Sequence, residues 1–148
     1  MRILCLNGPN LNILDRRDPE LYGGISLKSI EQALQKRASE LSVELWLYQS
    51  NHEGNLIDRI QEEGPSAHGI IINPAALTHY GLSLRDALID SELPVVEVHL
   101  SNIARREQWR ARSVVASVAV GQITGLGWRG YLYALDYLVG HINKEKIP

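Results

Sequence analysis

Short apolar runs alternate along the chain with segments in which apolar residues recur at helical spacing. Five of the short runs are rich in branched residues and predict β-strands. They cover residues 3–6, 43–48, 69–73, 95–99 and 118–120. Most are apolar without interruption, which is typical of strands covered by helices on both faces.

Helical patterns lie between the predicted strands, with apolar residues three or four positions apart. The positions that form these faces are Leu27, Ile30, Leu34 and Ala38; Leu56, Ile57 and Ile60; Leu84, Ala87 and Leu88; and a longer stretch over residues 126–142. Strands alternating with helices predict a parallel sheet in a three-layer α/β/α arrangement. Five strands in 148 residues fit a flavodoxin-like, doubly wound fold with strand order 2-1-3-4-5. We expect one domain over residues 1–148.

Composition narrows the class of protein. The net charge of −2 gives no electrostatic basis for binding nucleic acid or an anionic membrane. A single cysteine, Cys5, excludes an intrachain disulfide framework and fits a reducing compartment. The first residues stop being apolar too soon for a signal peptide, and no stretch approaches the ~18 apolar residues of a membrane span. We therefore expect a soluble cytoplasmic protein.

Polar side chains follow four of the predicted strands. They lie in residues 7–12, 49–54, 73–79 and 97–102 and include several asparagines together with His52, His79 and His99. In an open parallel sheet, the carboxyl ends of the strands share one edge, and ligands bind beyond that edge. We therefore expect the four polar segments to converge on one crevice.

The segment 15–24 is charged, contains Pro19 and ends in two glycines, which is typical of a mobile loop at the mouth of a site. It carries Arg16, Arg17 and Tyr22. Free tyrosine has a pKa of about 10, and a nearby cation favours its charged form. An arginine beside Tyr22 would therefore make it a possible general base. The same residues also fit a surface turn with a packed tyrosine and solvated arginines.

The three histidines leave several interpretations open. Each is a possible acid, base, metal ligand or hydrogen-bonded structural residue. Glu97 lies two residues before His99, so both side chains leave the same face of the strand and Glu97 can orient the imidazole. A metal hydrolase using His52, His79 and His99 is one alternative, although no compact His-x-x-His or Cys-x-x-Cys spacing supports it.

A flavin- or nucleotide-binding module is the other alternative. It requires a phosphate loop after the first strand, whereas this chain has an asparagine-rich turn with Pro9. Further along, Arg110 follows the fourth strand and can reach the crevice. The spacing is equally consistent with a second arrangement, in which Arg110 lies on a solvated face together with Arg105, Arg106 and Arg112.

Five sequence blocks, in order, resemble the type II dehydroquinases, and the resemblance covers nearly the whole chain. They span residues 3–23, 49–54, 70–88, 97–102 and 125–131. The resemblance implies a hydro-lyase that converts 3-dehydroquinate to 3-dehydroshikimate without metal, cofactor or Schiff-base lysine. It also implies a homododecamer built as a tetramer of trimers. The reaction occurs in the shikimate pathway of aromatic amino acid biosynthesis and in quinate catabolism, and the sequence does not choose between them.

The resemblance also implies roles for individual residues. Tyr22 would take a proton from C2 of the substrate, with Arg17 lowering its pKa, and a water held by Asn10 would stabilise the enolate. His99, oriented by Glu97, would protonate the departing C1 hydroxyl. Asn73, His79 and Arg110 would bind the ring hydroxyls of the substrate. The backbone amides of Leu100 and Ser101 would bind its carboxylate. Asp86 would reach the site from an adjacent protomer.

Some positions depart from the family pattern. Asp15 and Ala75 stand where glycine is usual, Leu77 replaces an aromatic residue, and Ala104 replaces a common histidine. Trp128 and Arg129 replace a more usual pair. From Ala75 we expect a backbone that suits a residue with a Cβ. None of these positions carries an implied chemical role.

Overall fold

The computed structural model describes residues 1–145 and contains a five-stranded parallel sheet in the order β2-β1-β3-β4-β5. The strands are β1 (Arg2–Asn7), β2 (Glu44–Gln49), β3 (Gly69–Asn73), β4 (Val95–His99) and β5 (Gly121–Thr124). All four neighbouring pairs are parallel. The predicted flavodoxin-like α/β fold and its strand order are therefore confirmed.

Five α-helices connect and cover the strands. They are α1 (Pro19–Tyr22), α2 (Leu27–Glu40), α3 (Glu53–Glu63), α4 (Leu82–Asp90) and α5 (Arg129–Ile142). Short 3-10 helices occupy Leu11–Arg16, Gly64–Ser66, Ala75–His79, Ile103–Arg105 and Gln108–Arg110. No helix within residues 1–145 combines the length and the apolar character needed to cross a membrane.

Alternate residues of the strands face opposite layers of the fold. Ile3 and Cys5 of β1 pack in one apolar cluster with α2 and α5. Leu4 and Leu6 pack in a second cluster with α3 and α4. All four side chains are fully buried, which explains why this strand is apolar without interruption.

The fifth strand lies at Gly121–Thr124, so the prediction of residues 118–120 was wrong. The amides of Val118 and Ala119 both donate to the carbonyl of Val115, which makes these residues part of a turn. Both side chains pack on the second apolar cluster and thereby produce a strand-like pattern. The ladder with β4 begins only at Gly121, opposite Val96.

Two other predicted boundaries require correction. The last helix begins at Arg129 rather than at residue 126, because Gly125 and Gly127 have φ values of 82° and 60°, outside the helical region. The predicted loop 15–24 contains the end of a 3-10 helix and all of α1. Asp18 caps α1 by accepting the amide of Glu20, and proline at the first helical position favours this start.

Candidate active site

A pocket lies beyond the carboxyl ends of β1, β3 and β4. The predicted site residues that line it are Asn10, Arg17, Tyr22, Asn73, His79, His99, Leu100, Ser101 and Arg110. This is the edge at which open parallel sheets bind ligands. Three of the four polar segments therefore converge as predicted.

The segment that follows β2 does not line this pocket, so that part of the prediction was wrong. Strand β2 is the outermost strand on its side of the sheet, with β1 between it and the pocket. Asn51 supports the pocket from behind, since its Oδ1 accepts the backbone amide of Asn10 at 3.0 Å. Glu53 accepts the amide of Leu84 at 3.0 Å and so joins α3 to α4.

His52 is exposed at the start of α3, away from the pocket that His79 and His99 line. The arrangement of three histidines required by the metal-site alternative is therefore not formed. Within residues 1–145, no three His, Cys, Asp or Glu side chains are grouped closely enough to hold a metal ion.

The hydroxyl of Tyr22 lies between two guanidinium groups. Arg17 Nη2 donates to it at 2.7 Å and Arg106 Nη1 at 3.0 Å. Both guanidinium groups also lie over the tyrosine ring, with Cζ at 4.1 Å and 5.5 Å from its centre. Two permanent positive charges therefore lie at one phenolic oxygen.

Arg106 lines the pocket, and the sequence analysis did not assign it to the site. It also donates to Ser101 Oγ at 3.2 Å, and its side chain is only 12% exposed. Its neighbour Arg105 is exposed, and no periodic pattern separates the two arginines in the sequence. The one available signal was the position of Arg106 shortly after the segment 97–102, which was expected to border the crevice.

His99 and Glu97 form a buried pair on the same face of β4, as their spacing predicted. The Nε2 atom of His99 lies 2.6 Å from Glu97 Oε1, and Glu97 is fully buried. Because Nε2 faces the carboxylate, Nδ1 is the remaining ring nitrogen for contacts with a ligand. Glu97 itself does not border the pocket.

Several donors surround the carboxylate of Glu97. It accepts hydrogen bonds from the hydroxyl of Thr78, from Ser113 Oγ at 2.9 and 3.0 Å, and from Gln122 Nε2 at 3.0 Å. Burial acts to raise the pKa of Glu97, but the hydrogen bond and charge of His99, followed by the two hydroxyls, outweigh it and lower that pKa. Glu97 is therefore held as a carboxylate beside the imidazole.

His79 and Arg110 border the pocket on the side of Trp109. His79 Nδ1 lies 2.7 Å from the carbonyl oxygen of Arg112, which can only accept, so Nδ1 carries the proton and Nε2 is left as an acceptor. The imidazole meets the Trp109 ring edge-on at 5.3 Å. The guanidinium of Arg110 lies 4.0 Å above the same indole ring and pairs with Glu107.

The backbone at Leu100 and Ser101 is held by the glycine-rich turn before α5. Gly127 donates to the carbonyl of Leu100 at 3.1 Å, and Gly125 donates to that of Ser101 at the same distance. Gly125 meets this geometry with a φ of 82°, which a residue with a Cβ rarely adopts. These bonds fix the chain that borders the pocket.

Ala75 has a φ of 53°, so the expectation that its backbone suits a residue with a Cβ was wrong. This conformation costs a residue other than glycine roughly 1–2 kcal/mol. It persists because Asn73 Oδ1 accepts the amide of Ala75 at 3.1 Å. The strain lies directly at the pocket wall.

Asp86 lies outside the pocket that a single chain forms. Its side chain on α4 is 69% exposed and pairs with Arg85 at 3.2 Å. Within a single subunit it therefore makes no contribution to the pocket wall. Leu82 and Ile89, which share its helix face, are 61% and 45% exposed.

The model of the family described as "Dehydroquinase class II" matches residues 1–139 of this chain. The chain belongs to the class II dehydroquinases. The resemblance drawn from the five sequence blocks is thereby confirmed, and the chain is an enzyme of this family. Neither the metal hydrolase nor the flavin-binding alternative is favoured by this match.

Individual proteins of known name that resemble this chain are dehydroquinases as well. The chain is 60% identical over 140 residues to the 3-dehydroquinate dehydratase of Roseiflexus castenholzii, covering 95% of this chain and 89% of the relative. It is 57% identical over 143 residues to that of Halothermothrix orenii, covering 97% of both. The crystal structure of type II dehydroquinase from Butyrivibrio crossotus has a TM-score of 0.91 at 43% identity, covering 93% of this chain and 97% of that one.

Proposed function

We propose that the protein is a hydro-lyase that dehydrates 3-dehydroquinate to 3-dehydroshikimate by trans elimination through an enolate, using one catalytic domain. Family membership supports the substrate, and the position of Tyr22 carries the mechanism. Its hydroxyl lies between Arg17 and Arg106 in the pocket that also contains His99. Removal of a proton beside a ketone requires a base and stabilisation of the enolate oxygen, and this pocket offers both.

Tyr22 acts as the base. Both guanidinium groups remain charged at any working pH, so they favour the phenolate whenever the pocket is formed. The phenolate accepts the proton from C2, and the C–H electron pair becomes the enolate. Arg106 joins Arg17 in this role, which extends the sequence-based expectation from one arginine to two.

Asn10 supports the enolate. It borders the pocket and has a left-handed backbone, with a φ of 69°, held by the bond from its amide to Asn51. In this proposal the side chain of Asn10 holds a water molecule, and that water donates a hydrogen bond to the enolate oxygen. Such a fixed donor stabilises charge as it develops in the transition state.

His99 completes the elimination as the general acid. It donates a proton to the C1 hydroxyl, which leaves as water while the enolate electrons form the new double bond. Glu97 orients the ring through its contact with Nε2, which leaves Nδ1 facing the ligand. The proton gained by Tyr22 and the proton lost by His99 balance over one turnover through exchange with solvent.

The remaining residues bind the substrate. Asn73, His79 and Arg110 meet the ring hydroxyls, and the backbone amides of Leu100 and Ser101 meet the carboxylate. Nδ1 of His79 donates to the backbone carbonyl of Arg112, so Nε2 is the ring nitrogen that faces a substrate hydroxyl. Arg106, bonded to Ser101 Oγ, adds positive charge beside the carboxylate subsite.

Asp86 reaches the pocket of a neighbouring subunit, and the subunits form trimers that assemble as a dodecamer. The exposed helix face containing Leu82, Asp86 and Ile89 supports this proposal, because a carboxylate framed by apolar side chains fits a subunit interface. Tyr80, shortly before α4, is exposed as well.

We place the enzyme in the cytoplasm. Burial raises the pKa of Cys5 to about 12, so this thiol is an inert part of the core and needs no oxidising compartment. The reaction serves aromatic amino acid biosynthesis through the shikimate pathway and quinate catabolism alike. The genes that lie beside this one in the genome would show which of the two pathways the enzyme serves.

A direct assay tests the activity. The purified protein is mixed with 3-dehydroquinate, and the conjugated enone of the product is followed by its ultraviolet absorption. We expect steady product formation that is unchanged after dialysis against a strong chelator. Absence of product at micromolar enzyme would contradict the proposal, and activity restored only by added zinc would support the metal hydrolase instead.

A further inference from the structure

A buried tyrosine lies behind the wall of the pocket. Tyr131 of α5 is fully buried, and its hydroxyl bridges the side chains of Asn7 and Asn73, which are 1% and 3% exposed. Tyr131 Oη donates to Asn7 Oδ1 at 2.7 Å, and Asn73 Nδ2 donates to Tyr131 Oη at 2.9 Å. The two asparagines are partners across the β1–β3 ladder.

The direction of this hydrogen-bond chain is set by a backbone amide. The Ala75 N–H can only donate, so the Asn73 atom 3.1 Å away from it must be the oxygen. The amide nitrogen of Asn73 therefore faces Tyr131. Because Tyr131 accepts that donor, its own hydroxyl hydrogen must point to Asn7. Reversal of the Asn73 amide would set its nitrogen against the Ala75 N–H and lose that bond, and Tyr131 could then donate to Asn73 only by giving up its bond to Asn7.

This arrangement determines what Asn73 offers to the pocket. Its amide nitrogen has two hydrogens, of which Tyr131 takes one, and Asn73 borders the pocket. The second hydrogen is therefore a donor with a fixed direction. Burial raises the pKa of Tyr131 well above its ordinary value, so the hydroxyl keeps its hydrogen throughout the working pH range.

We propose that Tyr131, assisted by Asn7, is a positioning residue that acts through Asn73, holding it as a donor to an oxygen of the substrate. This inference rests on the proposed function, in which Asn73 binds a ring hydroxyl. Tyr131 does not touch the substrate, since it lies behind Asn73 and is fully buried. Its contribution is to substrate affinity and orientation.

A double-mutant cycle tests this role. We expect Tyr131→Phe, which keeps the ring in the core, to raise KM about tenfold, the factor that corresponds to one lost hydrogen bond, while kcat stays within about twofold. In an Asn73→Ala background the same substitution should change KM by less than about twofold, because the residue it positions is gone. Equal effects in both backgrounds would overturn the proposal.

Two further variants complete the experiment. Tyr133→Phe removes a hydroxyl from the same helix at a side chain that is 47% exposed, so it should leave KM unchanged. Asn7→Ala removes the acceptor of the Tyr131 hydroxyl and should raise KM without adding to the effect of Tyr131→Phe. Additive effects of these two substitutions would contradict a shared hydrogen-bond chain, and Asn7→Ala keeps the proposal testable if Tyr131→Phe does not fold.

A crystal structure of Tyr131→Phe separates this inference from the proposed function. We expect the Asn73 side chain to leave its position or to take two orientations, whereas Tyr133→Phe should retain the bond from Ala75. An Asn73 side chain that is unmoved in Tyr131→Phe would overturn the inference even if the enzyme dehydrates 3-dehydroquinate. A wild-type protein without dehydratase activity would overturn the proposed function, while the structure still decides whether Tyr131 orients Asn73.

Discussion

The phenolic oxygen of Tyr22 lies 2.7 Å from Nη2 of Arg17. Arg106 donates to the same oxygen at 3.0 Å, so two positive charges lie at the atom that takes the proton from C2 in the proposed mechanism. Abstraction of that proton is the step for which the reaction requires a general base.

Removal of Arg106 should impair catalysis as strongly as removal of Arg17. We expect Arg106→Ala to lower kcat by about 100-fold or more, the usual cost of impairing a general base. The rising limb of the pH–rate profile should move to higher pH, because one of the two charges that favour the phenolate is lost. Arg105→Ala, at an exposed neighbouring position, is the matched control and should change neither quantity. An unaltered pH profile in Arg106→Ala would contradict this role.

Replacement of Glu97 by its neutral isostere should weaken the acid step. Glu97→Gln keeps the size of the side chain but removes the charge beside His99 Nε2. We expect kcat to fall by roughly 10- to 100-fold, as for other supporting carboxylates of functional histidines. The measurement is kcat of wild type and Glu97→Gln at several pH values. Turnover within twofold of wild type would show that the carboxylate is dispensable.

The same residue predicts an acid-dependent loss of stability. Since the folded-state pKa of Glu97 is lowered, ionised Glu97 stabilises the fold above its unfolded-state pKa, and this contribution is lost as pH falls through the lower folded value. We therefore expect Tm to fall as the pH drops below about 4.5, and to fall less steeply in Glu97→Gln. Calorimetry across this range, with Glu92→Gln at an exposed glutamate as control, measures the difference. Parallel curves for wild type and Glu97→Gln would contradict the assignment.

The sequence was sufficient for the parts of the site that depend on local spacing. Glu97 and His99 meet because alternate residues of a strand share a face, and Tyr22 meets Arg17 within one capped turn. Arg106 could not be separated from Arg105, because both follow β4 in an irregular segment whose path is set by tertiary contacts. The turn before β5 resembled a strand because Val118 and Ala119 are packed against the core.

Backbone strain at Ala75 was likewise invisible in the sequence. Its φ of 53° is dictated by the bond from its amide to Asn73, which is a property of the assembled pocket. We expect Ala75→Gly to stabilise the protein by about 0.5–1 kcal/mol, since relief of the left-handed strain exceeds the entropy cost of glycine.

Urea unfolding at a fixed protein concentration measures this effect, because subunit association also contributes to stability. The neighbouring Ala76→Gly is the matched control. Ala76 does not have a positive φ, so glycine there should destabilise the protein by roughly 0.5–1 kcal/mol. Equal destabilisation by both substitutions would show that Ala75 is not strained.

Asp86 should act in the pocket of a neighbouring subunit. Asp86→Ala and His99→Ala should each have little activity alone, whereas a mixture under conditions of subunit exchange should recover part of it. Random pairing at equal amounts gives both intact residues to about a quarter of the shared sites. Complete exchange, verified by mass spectrometry of tagged subunits, without any recovered turnover would contradict a shared site.

The turnover of Tyr22→Phe tests the central claim most directly. The substitution removes only the hydroxyl that receives the two arginine hydrogen bonds, and the ring can still pack beneath the guanidinium groups. We expect a folded protein whose kcat for 3-dehydroquinate is lower by roughly 100- to 10,000-fold, while Tyr133→Phe, at an exposed tyrosine, turns over normally. A Tyr22→Phe enzyme that keeps a tenth or more of the wild-type kcat would contradict Tyr22 as the base.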